Sequence, residues 1–387
     1  MHIGMLTTSY PRHAEDVAGV FVRSMARALV ARGHSFEVLA PMPEAGGAPP
    51  SEPGIDVRWV DYAPTALRRT FYGAGVPDNL RDPLAWPGLV GFPAALYRAA
   101  SQRVGGWDAI ISHWALPSAL VAGRVREKRP HLAVLHSADV FLLSRMPFAS
   151  RWIERVGASA GALLFASSSH RSTFLDALPA LKRANLAGRC HASAMGIDDL
   201  PETRARRTLR KALGISGFTA LSLGRLVPIK GLEHLIDAVD GLRDVDLIVA
   251  GDGPTRAELE ARGRARFVGT VTGPDKAELL RAADVFVVPS LELPSGRTEG
   301  TPTAALEAAL AGRPIIASET AGLAEVFEDG RSALLVRPGD PFALRRAIAR
   351  TRDDPALRRR LGRAARTVGR RYLWTELAPH IEALLVH

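Results

Sequence analysis

Short apolar runs rich in β-branched residues alternate along the chain with segments in which apolar residues recur every three or four positions. A run of the first kind predicts a buried strand, and a segment of the second kind predicts an amphipathic helix. Phe21, Met25 and Leu29, for example, share one helical face. Gly33 then follows as a stop signal. Apolar strands followed by amphipathic helices are typical of parallel sheets covered on both faces, so the pattern predicts an α/β protein.

The alternation runs through both halves of the chain and is more regular in the second. In the first half the predicted strands are 2–9, 35–41, 108–114, 132–138, 162–168 and 190–195. In the second half they are 219–226, 245–253, 265–271, 284–290 and 313–319, the last closing the series. Residues 41–54 are rich in Pro and Gly and predict a loop.

The length of 387 residues exceeds what one hydrophobic core usually serves and predicts two domains. The polar segment 196–206 separates them, which gives Rossmann-like doubly wound domains at 1–197 and 198–370. Residues 371–387 predict an amphipathic helix that packs back on the first domain. Ligands of open α/β sheets bind outside the carboxyl ends of the strands, so we expect the chemistry there, in a cleft between facing domains.

Composition adds that this is an ordinary globular chain, with 47% hydrophobic and 23% charged residues. No apolar run approaches the roughly 20 residues of a membrane span. The first residues lack a basic start followed by an apolar stretch, so no signal peptide is predicted. Cys190 is the single cysteine, which excludes an internal disulfide and disfavours a cysteine-based zinc site. We therefore expect a cytoplasmic protein with no metal site.

The net charge of +10 lies mainly in the first half. Residues 1–197 hold 21 Lys and Arg against 14 Asp and Glu, whereas the rest of the chain holds 29 against 26. Such a surface suits phosphate-bearing substrates or anionic lipid, or is simply a solvated arginine-rich face. Residues 141–157 mix large apolar residues with arginine and form either a wall of an acceptor cleft or a helix on the inner face of a membrane. No nucleic-acid-binding signature is present, so no nucleic-acid partner is predicted. Oligomeric state is left open.

Phosphate-binding chemistry follows the predicted strands of the second domain. Arg225 and Lys230 come after one strand and beside Gly224, and Lys230 directly precedes a helix. Two cations next to a helix N-terminus favour an anion, because free backbone N–H groups point the same way. Gly251 allows a tight turn after the next strand, and a plain turn is the favoured interpretation there. Val271 ends the following strand, where the backbone could edge a flat base or form an ordinary connection.

A second feature is the stretch TEGTPTAALEA at 298–308. A helix is predicted to begin near Thr301, which places Pro302 in its first turn, where a missing N–H costs nothing. Glu299 precedes this helix and Glu307 lies on it among Ala and Leu. A carboxylate in such surroundings needs a partner, and ribose hydroxyls are suitable ones.

The stretch resembles the Glu-x7-Glu motif of retaining glycosyltransferases of family 4 (group 1), which have the GT-B fold. GRLVPIKG at 224–231 resembles the phosphate loop of that family. AGDGP at 250–254, the segment 322–344, GID at 196–198 and the opening segment 9–41 are also similar to it. The resemblance covers nearly the whole chain and is more specific in the second domain.

The resemblance implies a nucleotide-sugar donor, UDP- or GDP-linked, held mainly by the second domain without a cofactor or metal ion. Arg225 and Lys230 would hold the diphosphate, Glu299 would contact the transferred sugar, and Glu307 the ribose. His136 of the first domain would reach the donor sugar, and Gly19 would lie near the phosphate and acceptor. The residues implied to line the sugar–phosphate junction are Gly300, Thr301, Pro302, Thr303 and Ala304.

Retention of anomeric configuration is also implied. The first domain offers no obvious nucleophile at a fixed place, which favours a same-face mechanism. The acceptor would be a hydroxyl of a glycan, a glycolipid or a polysaccharide precursor. The sequence departs from the family pattern in two places: only Gly19 follows Ala18 where many relatives have two glycines, and Asp139 follows three residues after His136.

Other interpretations remain. A GT-B nucleotide-sugar epimerase or phosphorylase would keep the fold, but neither a second carboxylate pair nor a cofactor lysine is evident. A non-catalytic protein that binds phosphate or anionic lipid is disfavoured by Glu299 and Glu307, since carboxylates oppose polyanions. His113 and Trp114 could bind a sugar ring or fill a junction between strand and helix. His170 follows another strand in a polar loop, and Cys190 is expected in the core.

Overall fold

A computed structural model describes residues 1–44, 46–72, 76–79, 82–294, 296 and 298–386. The chain forms two compact units, each built on one parallel sheet with helices. The first unit comprises Met1–Gly196 and Trp374–His387, and the second comprises Ile197–Leu373. The predicted α/β class is confirmed in both.

The sheet of the first unit has seven parallel strands in the order β3-β2-β1-β4-β5-β6-β7. The strands are β1 His2–Leu6, β2 Ser35–Pro41, β3 Ile55–Val60, β4 Ala109–His113, β5 His131–Leu135, β6 Ala162–Phe165 and β7 Cys190–Ala192. The helices are α1 Val20–Val30, α2 Val76–Asn79, α3 Trp86–Arg103, α4 Leu120–Val125, α5 Ser137–Arg145, α6 Ala149–Ser159, α7 Ser168–Asp176 and α8 Ala180–Ala187. The strand order reverses next to β1, as in doubly wound folds.

Strand β3 was not predicted. Ile55, Val57 and Trp59 are only half-buried and alternate with exposed polar residues, because β3 lies at the edge of the sheet. A short edge strand after a Pro- and Gly-rich loop carries a weak apolar signal, so the sequence pattern missed it.

The last helix of the chain, α17 Trp374–Leu385, belongs to the first unit. Its apolar side chains enter the same core cluster as Met25 of α1. The indole of Trp374 lies against the backbone of Gly196, where a Cβ atom would overlap the ring. Glu382 accepts hydrogen bonds from Arg32 (2.7 Å) and pairs with His34 (2.6 Å). The chain therefore returns to its first unit after completing the second.

The sheet of the second unit has six parallel strands in the order β10-β9-β8-β11-β12-β13. The strands are β8 Phe218–Leu223, β9 Val245–Ala250, β10 Arg266–Phe267, β11 Val285–Val288, β12 Ile315–Ser318 and β13 Ala333–Val336. The helices are α9 Arg206–Ala212, α10 Leu232–Asp240, α11 Arg256–Arg262, α12 Gly273–Ala282, α13 Thr303–Leu310, α14 Ala321–Ala324, α15 Pro341–Asp353 and α16 Pro355–Arg371.

The prediction of where this sheet ends was wrong. β13 adds a strand beyond 313–319, the segment that was expected to close the series, and β10 keeps only two of seven predicted residues. β13 is a run of four apolar residues, and so short a run does not distinguish a strand from a buried helical segment. No described helix is long and apolar enough to cross a membrane.

Candidate active site

Glycines connect the turns that follow β8, β9 and β10. The N–H of Gly224 donates to the carbonyl of Ala250 (3.0 Å), and the N–H of Gly251 donates to the carbonyl of Gly269 (2.7 Å). Gly251 has φ +135°, and a Cβ atom on it would overlap the carbonyl oxygen of Gly224. The glycine at 251 is therefore required by close backbone packing at the carboxyl edge of the sheet.

Lys230 projects from the turn after β8 towards the loop after β11. Gly231, with φ +60°, turns the chain into α10, and a Cβ atom there would overlap the carbonyl of Pro289. The N–H of Leu291 donates to the carbonyl of Ile229 at 2.8 Å. These contacts pack the two loops together, and they fix the direction in which Lys230 points.

The structure places Lys230 against Glu299. The Lys230 Nζ lies 2.8 Å from Oε1 of Glu299, and Ser290 donates to the other carboxylate oxygen at 2.7 Å. Ser290 is fully buried, so the carboxylate is held on both sides. Gly224 leaves room for the lysine, since a Cβ atom at 224 would come within 3.3 Å of its Cε. Lys230 and Glu299, predicted to contact different parts of a donor, form one charged pair.

Arg225 lies on the same turn with an exposed side chain. The N–H of its neighbour Leu226 donates to the carbonyl of Asp252 at 2.9 Å, and the N–H of Thr255 donates to the carbonyl of Leu226 at 3.2 Å. The turn that carries Arg225 is thus hydrogen-bonded to the turn after β9. Val271 is half-buried in the connection between β10 and α12 at the same edge.

Helix α13 begins two residues later than expected, at Thr303, so Pro302 precedes the helix instead of occupying its first turn. Among the described residues, no side chain caps its N-terminus. The N–H of Ala305 donates to the carbonyl of Pro302 at 2.9 Å, and the earlier N–H groups of this turn point beyond the helix. Gly300 lies against Gly322, where a Cβ atom would come within 2.5 Å of the Gly300 carbonyl carbon. Thr301 donates its hydroxyl to the carbonyl of Gly322 at 2.6 Å. These contacts hold the residues before α13 beside α14, the short helix that follows β12.

Glu307 has a protein partner that the sequence did not reveal. Oε1 of Glu307 lies 2.7 Å from the ammonium of Lys276 on α12. Burial raises the pKa of Glu307 above its usual value, and Lys276 opposes that shift. No local pattern links Lys276 to Glu307, because the pair forms only when α12 packs beside α13.

A cluster of aromatic and imidazole rings lies at the carboxyl ends of β4 and β5 in the first unit. His113, Trp114 and Phe21 surround His136, with ring centroids 5.5, 4.8 and 4.9 Å from that of His136. Nδ1 of His113 lies 3.3 Å from Nε2 of His136. Burial lowers the pKa of His136 to about 3, so its imidazole is neutral near pH 7. It can therefore exchange hydrogen bonds with a hydroxyl group but carries no charge.

Asp139 orients the His136 segment. Its carboxylate accepts from the N–H of His136 (2.8 Å), Val140 (3.0 Å) and Ala115 (2.7 Å). Burial raises the pKa of Asp139 to about 7, while these N–H groups act in the opposite direction. Asp139 thus ties the turn after β4 to the start of α5, which agrees with a structural role.

Gly19 caps α1 in the left-handed conformation, with φ +66°. A Cβ atom there would approach the carbonyl oxygen of Ser9 to 2.6 Å. Asp16, which sequence reasoning did not single out, holds the same loop by accepting from the N–H groups of Arg12 (3.0 Å) and Ala18 (3.1 Å).

His170 is buried and lies 2.6 Å from the Ser167 hydroxyl. Cys190 is buried in β7, as expected.

Two family models match most of the chain. "Glycosyl transferase 4-like domain" matches residues 18–184, and "Glycosyl transferases group 1" matches residues 217–354. A phosphatidyl-myo-inositol mannosyltransferase of Mycobacterium leprae is 30% identical over 266 residues, which cover 61% of this chain and 69% of the relative. The chain is a group 1 glycosyltransferase. A putative teichuronic acid biosynthesis glycosyltransferase of Bacillus subtilis is 28% identical over 90% of this chain and 89% of its own length.

Solved structures place this glycosyltransferase in the GT-B fold. Sucrose-phosphate synthase from Thermosynechococcus elongatus has a TM-score of 0.76 at 22% identity, covering 99% of this chain and 98% of its own. HepE of Anabaena, solved in complex with UDP-glucose, has a TM-score of 0.73 at 20% identity and covers 100% and 99%. These likenesses establish the fold alone.

The predicted site residues of the glycosyltransferase all lie inside the two matched regions. Gly19 and His136 fall within 18–184. The remaining ones, from Gly224 to Glu307, fall within 217–354 and follow β8, β9, β10 and β11 in space. Within the described residues, no group of three or more His, Cys, Asp or Glu side chains is arranged to hold a metal ion.

Proposed function

We propose that this glycosyltransferase moves a sugar from a UDP- or GDP-sugar to an acceptor hydroxyl with retention of configuration, by a same-face mechanism that needs no metal ion. The observation that carries the proposal is the Lys230–Glu299 pair beside the uncapped start of α13. An ammonium, a carboxylate and free N–H groups at one sheet edge suit a phosphate joined to a sugar. HepE, which shares the fold, was solved with UDP-glucose bound.

In the proposed reaction, the bond between the anomeric carbon and the phosphate oxygen breaks while the acceptor oxygen bonds to that carbon from the same face. The phosphate oxygen leaves with the bonding electron pair and takes up the proton of the acceptor hydroxyl. The products are the glycoside and the nucleoside diphosphate. Negative charge therefore grows on the diphosphate as the reaction proceeds.

Lys230, Arg225 and the N–H groups at the start of α13 would stabilise that charge in the role that a metal ion has in other transferases. Such groups accelerate the reaction because they are in place before the charge develops. Glu299 would accept hydrogen bonds from sugar hydroxyls, and Glu307 from the ribose. In the first unit, the neutral imidazole of His136 would hydrogen-bond a sugar hydroxyl.

Stabilisation by donors tests this proposal directly. The purified protein is melted with UDP-, GDP-, ADP- and TDP-sugars, with and without EDTA. A donor at one hundred times its dissociation constant adds about 2.7 kcal/mol, which corresponds to a shift of roughly 5 °C or more. We expect one nucleotide class to stabilise the wild type equally with EDTA, and Lys230→Ala and Glu307→Ala to abolish the shift. If no donor acts even when membranes are supplied as a source of acceptor, the proposal is wrong.

Chromatography of the nucleotides after incubation separates this function from epimerisation, which shares the donor. A transferase releases nucleoside diphosphate, at least by slow transfer to water, whereas an epimerase returns a nucleotide-sugar. Recovery of an isomeric nucleotide-sugar with no free diphosphate would contradict the transferase.

We also propose that the acceptor belongs to a glycan or glycolipid and is met at an anionic membrane surface. The names of the B. subtilis and M. leprae relatives refer to teichuronic acid biosynthesis and to phosphatidyl-myo-inositol. In the first unit, one face of α3 exposes the apolar side chains of Trp86, Leu89, Val90 and Tyr97, and Leu84, two residues before the helix, is exposed as well. Basic side chains accompany them: Arg98 is exposed on α3, and Arg124 lies over the Tyr97 ring at 6.0 Å.

This surface differs from the segment 141–157 that the sequence suggested. In that segment three arginines lie over neighbouring aromatic rings, and Phe148 is the exposed large apolar residue. α3 exposes more large apolar side chains than the segment 141–157 does. Such a face, with basic neighbours, suits the interface of an anionic bilayer.

Vesicle co-sedimentation tests the α3 surface. Trp86 and Val90 are 58% and 78% exposed, so Trp86→Ser/Val90→Ser removes apolar area with little effect on folding. We expect this variant to sediment less with phosphatidylglycerol vesicles. Leu181→Ser/Phe342→Ser is the matched control, since those side chains are 77% and 66% exposed elsewhere. Equal binding by both variants would argue against α3.

A further inference from the structure

A small pocket in the second unit lies away from the start of α13. It has a volume of ≈ 120 Å³ and is lined by Asp199, Leu200, Arg281, Leu310, Arg366, Arg370 and Leu373. A single water needs only about 10–15 Å³ of such space, so the pocket can hold a larger polar group. Leu310 ends α13, whereas the proposed diphosphate contacts lie at the start of that helix, about 10 Å earlier along its axis. Glu307, the proposed ribose contact, lies one turn before Leu310.

Close helix packing fixes the position of the two pocket arginines that α16 provides. Gly362 and Gly369 of α16 face the end of α13, where Cβ atoms would come within 2.5 Å of the Gly312 carbonyl oxygen and the Leu310 nitrogen. Arg366 lies between these glycines, and Arg370 follows directly. The helix therefore presents both side chains beside the carboxyl end of α13.

The three arginines that line the pocket have no side-chain partner among the residues that the structure describes. Across the described part of the chain, the side chains of Arg281, Arg366 and Arg370 make no hydrogen bond or ion pair, whereas Arg206 and Arg210 close by are both paired with Asp284. Asp199 is the one carboxylate in the lining. The pocket thus has a surplus of positive charge, and guanidinium groups converging on a small cavity are suited to the oxygens of a phosphate.

Arg313, next to the backbone of Arg281, adds a further positive charge close to the pocket. Its guanidinium donates to the carbonyls of Arg281 (3.4 Å) and Ala283 (3.0 Å). Burial lowers the pKa of Arg313 to about 10, and the positive charges of Arg206 and Arg281 act in the same direction. Arg313 therefore holds the backbone at the end of α12, the helix from which Arg281 projects, and places a further positive charge near it.

We propose that this pocket, formed by the ends of α12, α13 and α16, is a second anion site that binds one phosphate group, carried either by a soluble phosphate ester or by a phospholipid headgroup. The site is separate from the donor reaction proposed above and does not depend on it. Arg359 and Arg363 continue the exposed arginine row of α16 beyond the pocket. They offer the same charge on the same helix without lining the cavity.

Calorimetric titration at low ionic strength tests the site, since salt screens exposed charges. The probes are inorganic phosphate, glycerol 3-phosphate and vesicles of equal parts phosphatidylcholine and phosphatidic acid. The background is Arg225→Ala/Lys230→Ala, so that the donor loop does not bind the probe. In this background we compare Arg366→Gln/Arg370→Gln with the matched control Arg359→Gln/Arg363→Gln. Melting temperatures check that all variants fold.

We expect saturable binding that Arg366→Gln/Arg370→Gln weakens about tenfold or more, because each arginine donates charged hydrogen bonds, and that the control leaves nearly unchanged. Saturation by the soluble probes assigns a free phosphate ester, and saturation by vesicles alone assigns a lipid headgroup. Equal losses in both variants would show that the charge of α16 acts without a site. Equal losses, or no saturable binding to any probe, would overturn the proposal whether or not the donor experiment succeeds.

Discussion

Lys230 and Glu299 show at the scale of single residues how the fold combines separate sequence signals. The two side chains lie 2.8 Å apart, and Ser290 holds the far side of the carboxylate. A bound diphosphate would offer Lys230 a second anion, and Glu299 would then be available to sugar hydroxyls. The pair therefore orients both groups before a donor arrives, which is the condition for efficient charge stabilisation.

Replacing the cations of this site should slow transfer far more than it weakens folding. Lys230→Ala and Arg225→Ala each remove a charge placed for the leaving diphosphate, and a lost group of this kind costs on the order of 3–4 kcal/mol, or roughly a hundred- to a thousandfold in kcat. Steady-state release of nucleoside diphosphate measures the effect.

Lys211→Ala is the control for that experiment, because Lys211 is an exposed base of the same unit on α9. Its replacement should leave kcat unchanged. Losses below tenfold in both site variants would remove Lys230 and Arg225 from the proposed catalytic role.

At the scale of elements, α13 and α16 depend on each other through glycine. The Cβ positions of Gly362 and Gly369 fall on the backbone at the end of α13, so the two helices approach more closely than larger residues would permit. α13 carries Glu307, and its start lies beside Glu299. The packing of α16 thus helps to position the site although it contributes none of the predicted donor contacts.

Gly369→Ala should therefore destabilise the protein, although glycine to alanine inside a helix ordinarily stabilises it by roughly 0.5–1 kcal/mol. The added methyl group would lie 2.5 Å from the Leu310 nitrogen, and overpacking of this kind costs about 1–3 kcal/mol. Urea unfolding measures the change in free energy. Gly188→Ala is the control, since Gly188 has φ −66° and nothing within 4 Å of its Cβ position. A neutral or stabilising result at 369 would mean that the helices can separate without cost.

At the scale of the whole molecule, the first unit has a concentration of buried neutral histidines. Burial lowers the pKa of His131 to about 4 and that of His136 to about 3, and it lowers the pKa of His113 as well. In the unfolded chain these histidines take up protons near pH 6.5, whereas in the folded unit they stay neutral until the pH is lower. Each histidine therefore stabilises the fold fully above about pH 6.5, and that contribution is lost as the pH falls towards the folded pKa.

The free energy of unfolding should fall with acidification below about pH 6.5 by up to roughly 1.4 kcal/mol per pH unit for each such histidine. His131 is outside the proposed site and bonds to Ser112 and to the carbonyl of Ser159, both at 2.7 Å. His131→Asn should be less stable at neutral pH but should lose stability less steeply in acid. Urea unfolding across this pH range measures both slopes, and equal slopes would contradict the assignment.

The sequence by itself determined the α/β class, most strands and the family, because apolar period, glycine turns and the Glu299–Glu307 spacing are local properties of the chain. It missed β3 and β13, since short or half-exposed strands have little apolar signal. It also found most of the residues that gather at the carboxyl edge of the second sheet. The partners of those residues were decided by tertiary structure. Lys276 meets Glu307, and three arginines converge on one pocket, only because helices distant in sequence pack side by side.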